Sequence, residues 1–174
     1  MIAAVLLAAA EAVAQEQQAP LPDECESVAP VRRIVVSVAD RKLALIEDGR
    51  VVKIYEAAVG SNATPTPPGA FTIANRVTNP TWYGPKGQIV PAGKSNPLGD
   101  RWMGLSLKGY GIHGTNVPAS IGRNVSHGCI RMRKQDVHEL FDLMRVGDVV
   151  ELVTEPSEEL ARIFQPAELM ASAK

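Results

Sequence analysis

The sequence predicts a mostly β, antiparallel protein with one packed α-helix, and three observations support this fold class. Glycine and proline are abundant, with 14 and 13 copies in 174 residues, which favours a turn-rich fold over a helical bundle. Short segments of β-branched and aliphatic residues recur between the predicted turns. A single segment in the body of the chain has the apolar spacing of an amphipathic helix. Hydrophobic residues make up 45% of the chain, which is enough for the core of one domain.

The N-terminal residues predict export. The first apolar segment is too short to cross a bilayer, and Ala12-Val13-Ala14 has the small-x-small pattern of a signal-peptide cleavage site. No Lys or Arg precedes it, so either the true start lies upstream or the segment is only an alanine-rich helix end. We expect residues 1–14 to be a signal peptide and the protein to be periplasmic. Residues 15–32 contain Pro, Glu and Gln and predict a flexible leader, in which Cys25 is expected to be a free thiol.

The first half of the domain predicts a strand, a hairpin and another strand. Residues 34–38 (Ile-Val-Val-Ser-Val) are largely β-branched and predict the opening strand. Residues 42–60 predict a hairpin, because two apolar arms flank Asp48-Gly49 and Asp-Gly is a strong hairpin signal. The prolines and the glycine within 65–69 predict a stiff turn before a strand at 70–73.

Residues 75–109 predict a long loop. This segment is rich in Pro, Gly and Asn, and it carries Trp82, Tyr83 and Trp102 in a chain with only 5% aromatic residues. A loop of this length is unusual in a compact domain unless it has a function, so we expect a substrate lid that contains these three side chains. The alternative is a passive covering of a sheet edge.

Residues 135–145 predict the packed helix, because apolar side chains recur at the i, i+3, i+4 and i+7 positions. A Gly-Asp turn then leads to a final β-branched strand at 149–153. Beyond Pro156, residues 158–164 have the pattern of a short amphipathic helix. The apolar stripe of the packed helix consists of Val137, Leu140, Phe141 and Met144.

The chemistry of the chain is concentrated in two neighbouring motifs, His113-Gly-Thr-Asn-Val-Pro and Ser126-His-Gly-Cys-Ile-Arg-Met. Together they hold two of the three histidines, an arginine, and Cys129, which follows a glycine. The thiolate is the nucleophilic form of cysteine, and a nearby histidine, cation or backbone N–H group favours it. The two motifs therefore predict acyl transfer through Cys129, with either His113 or His127 as the base.

The spacing within the second motif predicts a cleft. If residues 126–132 are extended, His127, Cys129 and Arg131 lie on one face of the strand, and the apolar residues between them lie on the other. With the apolar face in the core, the thiol lies beside cationic groups, where we expect a stabilised thiolate.

These motifs resemble the signature of the L,D-transpeptidase catalytic domain (YkuD type), and the similarity covers residues 34–153. On this basis we expect 33–154 to be the catalytic domain and 155–174 a C-terminal tail. The resemblance also implies that the antiparallel sheets form a sandwich with the cysteine in a cleft. Further segments that carry the resemblance are Thr66-Pro-Pro-Gly-Ala-Phe-Thr-Ile, Asn79-Pro-Thr-Trp, Asn96-Pro-Leu-Gly and Gly109-Tyr-Gly-Ile-His.

The resemblance implies a role for each residue of the two motifs. Cys129 would be the nucleophile and His113 the base, with the backbone carbonyl of Gly114 orienting the imidazole. Backbone N–H groups near Gly128 and Cys129 would form the oxyanion hole. Arg131 would hold a substrate carboxylate or brace the loop. The side chains expected to shape the cleft or bind substrate are those of Ser126, His127 and Arg131.

The resemblance further implies an activity on peptidoglycan. The Cys129 thiolate would attack the carbonyl between diaminopimelate and the terminal D-alanine of a tetrapeptide stem, leaving a thioester. An amine of a neighbouring stem would then form a 3→3 cross-link, and no cofactor or metal is needed. The acceptor stays open, because water would make the enzyme a carboxypeptidase or endopeptidase. A lysine of an outer-membrane protein would instead attach that protein to the wall.

Two other classes of function fit parts of the same pattern. His113, His127 and Cys129 could bind a catalytic zinc, although no nearby carboxylate is an obvious general base. A non-catalytic wall-binding module is the other class, but pure binding has no use for an intact thiol. The net charge of −1 gives no reason to expect nucleic acid as a partner, and we expect no transmembrane segment.

Overall fold

The structure, a computed structural model, describes residues 29–164. The expectations for the signal peptide, most of the leader, Cys25 and the last ten residues lie outside the described residues. In chain order, the strands are β1 (Arg32–Ser37), β2 (Lys42–Glu47), β3 (Arg50–Gly60), β4 (Gly69–Thr78), β5 (Trp82–Tyr83), β6 (Ile89–Val90), β7 (Arg101–Leu105), β8 (Gly111–His113), β9 (Asn124–Ser126), β10 (Ile130–Met132) and β11 (Val149–Val153). The α-helices are α1 (Lys134–Leu143) and α2 (Glu158–Phe164).

The main sheet is mixed and closes on itself. Its strand order is β10-β8-β7-β4-β11-β1-β2-β3-β9, and β10 also pairs with β3, which completes a ring. β1 runs parallel to β11, β8 to β10 and β3 to β9, whereas the other pairs are antiparallel. The mostly β class is confirmed, but the expectation of an antiparallel sandwich is wrong, because the sheet is a closed mixed barrel. Parallel neighbours need long connections, and local hairpin signals do not reveal them.

The hairpin predicted at Asp48-Gly49 joins β2 and β3. Both turn residues have positive φ angles, 47° and 78°, the left-handed geometry that a tight two-residue turn requires. The second arm continues to Gly60, and β2 pairs with its first part through one irregularity between Leu45 and Ile46. The far part of β3 is thereby free to pair with β9 and β10 near the two motifs.

The helix α1 closes the core where the sequence predicts it. Its predicted apolar stripe is buried, including Met144 directly after the helix. Burial of each such side chain contributes about 1.5–3 kcal/mol. Neither α-helix within residues 29–164 is long and apolar enough to cross a membrane.

The helix α2 covers the outside of the barrel at β1 and β2. Leu160 and Ile163 pack on side chains that point away from the main core, those of Val35, Ala44 and Ile46. Both strands are therefore buried on their two faces. This explains why their sequences are continuously apolar rather than alternating.

The segment expected to be one long loop, 75–109, has strands at both ends. β4 continues to Thr78, and β7 pairs with it through Arg101 to Leu105. Within the described residues, only the β5–β6 hairpin lies apart, as a separate two-stranded sheet. The expectation is wrong for β7 because this strand contains no β-branched residue. It is extended because β4 and β8 flank it, not because of local propensity.

Candidate active site

Two short parallel strands, β8 and β10, carry the residues of the two motifs. Arg131 of β10 lies opposite His113 of β8. Ile130 and Met132 are fully buried in the core, which leaves Arg131 facing the other way. Cys129 directly precedes β10, so the sheet brings the predicted nucleophile, base and cation together.

Residues 127–129 form a turn between β9 and β10 rather than a continuous strand. Gly128 has a φ of 108°, and a Cβ at this position would lie 2.5 Å from the Tyr110 ring. Only glycine fits such a backbone without strain. The expectation that 126–132 are extended is therefore wrong at its centre. As a result His127 is exposed to solvent, whereas Cys129 is only partly exposed.

Buried hydrogen bonds hold this turn against the loop between β3 and β4. Thr66, only 1% exposed, accepts from the Gly60 N–H at 2.8 Å and donates to the Gly128 carbonyl at 2.9 Å. The Ser126 hydroxyl donates to the Cys129 carbonyl at 2.6 Å and accepts from the Gly128 N–H at 3.1 Å. Leaving any buried group of this network unpaired would cost about 1–3 kcal/mol. The turn that carries the thiol is therefore fixed from two sides.

These bonds change the roles expected for Ser126 and Gly128. The Ser126 side chain is buried and its hydroxyl serves the backbone, so it braces the turn instead of lining the cleft. The Gly128 N–H already donates to that hydroxyl. The N–H of Cys129 has no hydrogen-bond partner among residues 29–164. Of the Gly128 and Cys129 N–H groups, the Cys129 N–H is therefore the remaining candidate for the oxyanion hole.

His113 is a buried base candidate whose tautomer is fixed by the backbone. Its Nδ1 lies 2.6 Å from the Gly114 carbonyl oxygen. Because a carbonyl only accepts, Nδ1 carries the proton and Nε2 keeps its lone pair. Burial lowers the pKa of His113 to about 4. The carbonyls of Gly114 and Leu98 oppose this shift of the pKa, whereas the charge of Arg131 adds to it.

The indole of Trp102 packs on the imidazole of His113. The rings are stacked with centroids 5.7 Å apart and an interplanar angle of 27°. Trp102 lies opposite His113 on β7, and its Nε1 donates to Asn75 Oδ1 at 3.1 Å. Trp102 is thus part of the sheet, and its expected place in a lid is wrong. Trp82 and Tyr83 do form β5 of the separate hairpin.

Burial of Cys129 favours its protonated thiol form. Its Sγ lies 3.5 Å from the Gly109 carbonyl oxygen, which suits an S–H donor. Burial raises the pKa of the thiol, and a backbone hydrogen bond with Gly111 and the charge of Arg131 oppose the rise without cancelling it. Burial therefore opposes the stabilised thiolate that was expected from the nearby cations, and that expectation stays a prediction. Where burial disfavours the thiolate, a base has to take the thiol proton during attack.

Arg131 is a half-buried cation that no carboxylate of the described residues pairs. The ion pairs among residues 29–164 do not include it, and its Nε is buried without an acceptor. Burial lowers the pKa of Arg131, but a guanidinium stays charged at any ordinary pH. An anionic group of a ligand in the cleft would satisfy this cation.

A cavity of about 680 Å³ has the Cys129 thiol in its wall. Trp82 and Tyr83 line it from the hairpin, Leu98 from the following loop and Trp102 from the sheet. A smaller cavity of about 380 Å³ shares Asn79 with it, but Cys129 does not line that one. The larger cavity is therefore the candidate place for a reacting carbonyl, and its wall includes three aromatic side chains.

The structure brings Cys129, His113, Gly114 and Arg131 together and leaves His127 in solvent. In the part of the chain that the structure describes, no group of three His, Cys, Asp or Glu residues could hold a metal ion. The zinc alternative therefore has no ligand cluster here.

Three residues near the site escaped sequence reasoning, namely Thr66, Asn96 and Leu98. They lie in the Thr66-Pro-Pro-Gly and Asn96-Pro-Leu-Gly segments, so the segments were visible but the roles were not. A buried hydroxyl or amide that serves distant backbone groups leaves no periodic signal in the sequence.

The chain is similar in sequence to L,D-transpeptidases. Residues 31–152 match the family model described as YkuD, L,D-transpeptidase catalytic domain. A Bacillus licheniformis protein that bears the name L,D-transpeptidase YkuD is 45% identical over 120 residues, which cover 69% of this chain and 64% of that protein. A Bacillus subtilis protein that bears the name L,D-transpeptidase YqjB is 38% identical over 135 residues, which cover 75% of each chain. An Escherichia coli protein that bears the name YcfS is 34% identical, over 80% of this chain and 48% of that protein.

Solved structures share the fold. An L,D-transpeptidase from Mycobacterium smegmatis superposes with a TM-score of 0.62 at 21% identity, over 72% of this chain and 59% of that one. An Enterococcus faecium L,D-transpeptidase with a cysteine-to-serine substitution gives a TM-score of 0.61 at 26% identity, over 71% and 50%. The chain spans 64% of the length of the B. licheniformis relative and 59% of the M. smegmatis chain.

Proposed function

Because this chain belongs to the family of L,D-transpeptidase catalytic domains, we propose that it is a cysteine-dependent acyltransferase acting on peptidoglycan stem peptides. One observation carries the proposal. The Gly114 carbonyl oxygen lies 2.6 Å from Nδ1 of His113, which leaves Nε2 of the same ring to accept a proton. His113 lies on β8, and Cys129 directly precedes β10, the strand that pairs with β8. A neutral base on the strand adjacent to Cys129 supports a thiol nucleophile that is activated during attack.

In the first step, Cys129 Sγ attacks the carbonyl carbon between diaminopimelate and the terminal D-alanine of a tetrapeptide stem. The thiol proton passes to Nε2 of His113 as the S–C bond forms, and the Cys129 N–H donates to the oxyanion. Collapse of the tetrahedral intermediate breaks the C–N bond. The imidazolium gives its proton to the departing D-alanine amine, so a thioester remains and the base is neutral again.

In the second step, an amine of a neighbouring stem attacks the thioester. His113 takes the proton of that amine as the new C–N bond forms, and the Cys129 sulfur leaves and recovers a proton from the imidazolium. The product is a 3→3 cross-link. Water as acceptor would give carboxypeptidase or endopeptidase activity, and a lysine of an outer-membrane protein would give wall attachment. The aromatic cover of the cleft favours transfer to an amine because it excludes water from the thioester.

Arg131 is the proposed contact for a substrate carboxylate. The stem peptide carries free carboxylates, and the guanidinium faces the site without an ion-pair partner in the described residues. A charge-assisted bond there would orient the donor stem beside Cys129. On the expectation of a signal peptide, the proposed site of this reaction is the periplasm.

The test is mass spectrometry of muropeptides after incubation with purified variants. Cys129→Ala should abolish product while the protein stays folded, and Cys25→Ser should leave activity unchanged. His113→Ala should slow acylation on the order of 10²-fold, the usual scale for loss of acid–base assistance. His127→Ala should have a smaller effect. Near-normal turnover by Cys129→Ala would overturn the proposal, and a larger acylation defect in His127→Ala would overturn the choice of base.

A further inference from the structure

The β5–β6 hairpin over the cleft is fastened by one buried amide. Asn96, in the loop after β6, is 0% exposed. Its Nδ2 lies 2.8, 3.2 and 3.2 Å from the carbonyl oxygens of Pro80, Val90 and Pro91. Its Oδ1 accepts from the Leu98 N–H at 2.8 Å. A single side chain therefore joins the entry of the hairpin, its exit and the loop that returns to the main sheet.

The sequence explains why the hairpin depends on this amide. Pro80 and Pro91 have no N–H group, so the β5–β6 ladder cannot extend past them, and the carbonyls at the base need other donors. Only the NH₂ end of an amide satisfies those oxygens, and only its oxygen satisfies the Leu98 N–H. A single orientation of the Asn96 side chain fits all four groups. Among uncharged side chains of this length, only asparagine carries both ends.

The same loop contacts the base of the active site. Leu98 is bonded through its N–H to Asn96, and its carbonyl oxygen would lie 3.3 Å from a Cβ built on Gly114. The same carbonyl raises the pKa of His113. The next residue, Gly99, lies so close to Gly114 that a Cβ on it would be 3.0 Å from the Gly114 Cα. The backbone at 98–99 therefore packs directly on the turn that orients the imidazole.

We propose that Asn96 is a positioning residue that couples the hairpin to the catalytic base, holding the hairpin over the cleft and Leu98 against His113 with one side chain. The consequence for catalysis rests on the proposed function, whereas the attachment of the hairpin does not. Without the amide, the hairpin moves away from the cleft and water reaches both His113 and the thioester. The enzyme then hydrolyses a larger share of its acyl intermediate.

The variant Asn96→Ala in the full chain tests this coupling. The two tryptophans of the chain, Trp82 on the hairpin and Trp102 in the cleft wall, report opening independently of activity. We expect their emission to shift to the red while the far-ultraviolet circular dichroism of the sheet is retained. We also expect the acidic limb of the pH profile for alkylation of Cys129 by iodoacetamide to move up from near 4, because burial is the main cause of the low pKa of His113. The ratio of hydrolysed to cross-linked product should rise several-fold.

The matched control is Asn116→Ala. Asn116 Nδ2 makes one hydrogen bond, of 2.9 Å, to the Ser95 carbonyl oxygen. Ser95 directly precedes Asn96 in the same loop. This control should keep the wild-type fluorescence, pH profile and product ratio. Asn96→Ser, which keeps one short donor and acceptor, should give a smaller change in each than Asn96→Ala.

Three results would test the proposed coupling. An Asn96→Ala protein with a lower melting temperature but wild-type fluorescence, pH profile and product ratio would overturn the proposal. Unfolding of the main sheet in both Asn96 variants would also overturn it, because the proposal confines the change to the hairpin and its contact with His113. If Asn96→Ala shows the red shift and the moved pH profile but the wild-type protein forms no cross-links, the coupling is supported and the proposed function is contradicted.

Discussion

The turn at residues 127–129 and the β5–β6 hairpin lie on the same cleft but are attached in opposite ways. The turn lies between strands of the main sheet and is held by buried bonds from Thr66 and Ser126. The hairpin belongs to a separate two-stranded sheet, and Asn96 is the buried amide that ties it down. The turn is thus held by two buried side chains from separate segments, whereas the side-chain bonds at the base of the hairpin converge on Asn96.

This difference matches what each region has to do. A nucleophile displaced by about 1 Å can lose on the order of 10²-fold in rate, so its support has to be redundant. A cover has to open for the substrate and close again, which many separate bonds would prevent. We therefore expect substitutions in the turn to act on acylation and substitutions in the hairpin to act on the fate of the acyl-enzyme.

The largest effect is expected from Gly128→Ala, which disturbs the turn that carries Cys129. A Cβ at Gly128 would meet the Tyr110 ring at 2.5 Å in a backbone with a φ of 108°. The acylation rate, followed by mass spectrometry of the acyl-enzyme, should fall about 10²-fold or more. Gly122→Ala is the control, because Gly122 also has a positive φ of 83° but no atom within 4 Å of its Cβ position. Equal losses in the two variants would show that backbone strain alone, not the fit of the turn, limits the reaction.

The next largest effect concerns His113, whose strand β8 pairs with β10 directly after the turn. Its folded pKa of about 4 lies below the ordinary value of 6.5, so the unfolded chain binds more protons between these values. The free energy of unfolding should therefore rise by on the order of 3 kcal/mol as pH increases from about 4 to 6.5. The same stability is lost as pH falls through this window. Urea titrations of the wild type and His113→Gln at several pH values measure this. The same slope in both proteins would mean that another group is responsible.

A smaller effect is expected from Thr66→Val, which removes one buried hydroxyl at nearly constant volume. The Gly60 N–H and the Gly128 carbonyl lose their partner, so unfolding free energy should drop by about 1–3 kcal/mol. Acylation should slow as the turn loosens, whereas the ratio of hydrolysed to cross-linked product should stay the same. Thr66→Ser keeps the hydroxyl and should restore most of both losses. A changed product ratio in Thr66→Val would contradict the separation between turn and hairpin.

The smallest effect is expected from Trp82→Leu, on the hairpin. The smaller side chain leaves the cleft less well covered, so the ratio of hydrolysed to cross-linked product should rise a few-fold, with little change in acylation or melting temperature. Trp102→Phe is the contrasting variant, because it alters the ring stacked on His113 and should slow acylation instead. If the hairpin only covers a sheet edge, Trp82→Leu will lower the melting temperature and leave the ratio unchanged.

The sequence predicted those elements whose signals are local. The β-branched opening strand, the Asp48-Gly49 hairpin and the apolar stripe of α1 all lie where the pattern places them. The closed ring was not predictable, because its parallel pairs join segments far apart in the chain. β7 was missed for the same reason, since its extended shape depends on its neighbours. Trp102 was consequently assigned to the lid instead of the sheet.

The candidate site was predictable in its membership but not in its electrostatics. The motifs around His113 and Cys129 point to the two residues that the sheet places on adjacent elements, and the Gly114 carbonyl lies where the resemblance implies it. The protonated state of the thiol depends on how deeply the fold buries it, which exceeds the effect of Arg131. The part played by Asn96 was not predictable, because its partners come from three separate places in the hairpin.

The parallel pairing of β1 with β11 has a consequence for how the chain folds. It joins the first strand of the barrel to the last, and Arg33 forms an ion pair with Glu151, 118 positions away. Closing so long a loop costs entropy before any pairing is gained, so the ring closes slowly and only once the whole domain has been synthesised. A chain cut before Val149 leaves β1 and β4 as bare edges, and such edges recruit strands from other chains. Unfinished chains are therefore expected to aggregate more readily than the closed barrel.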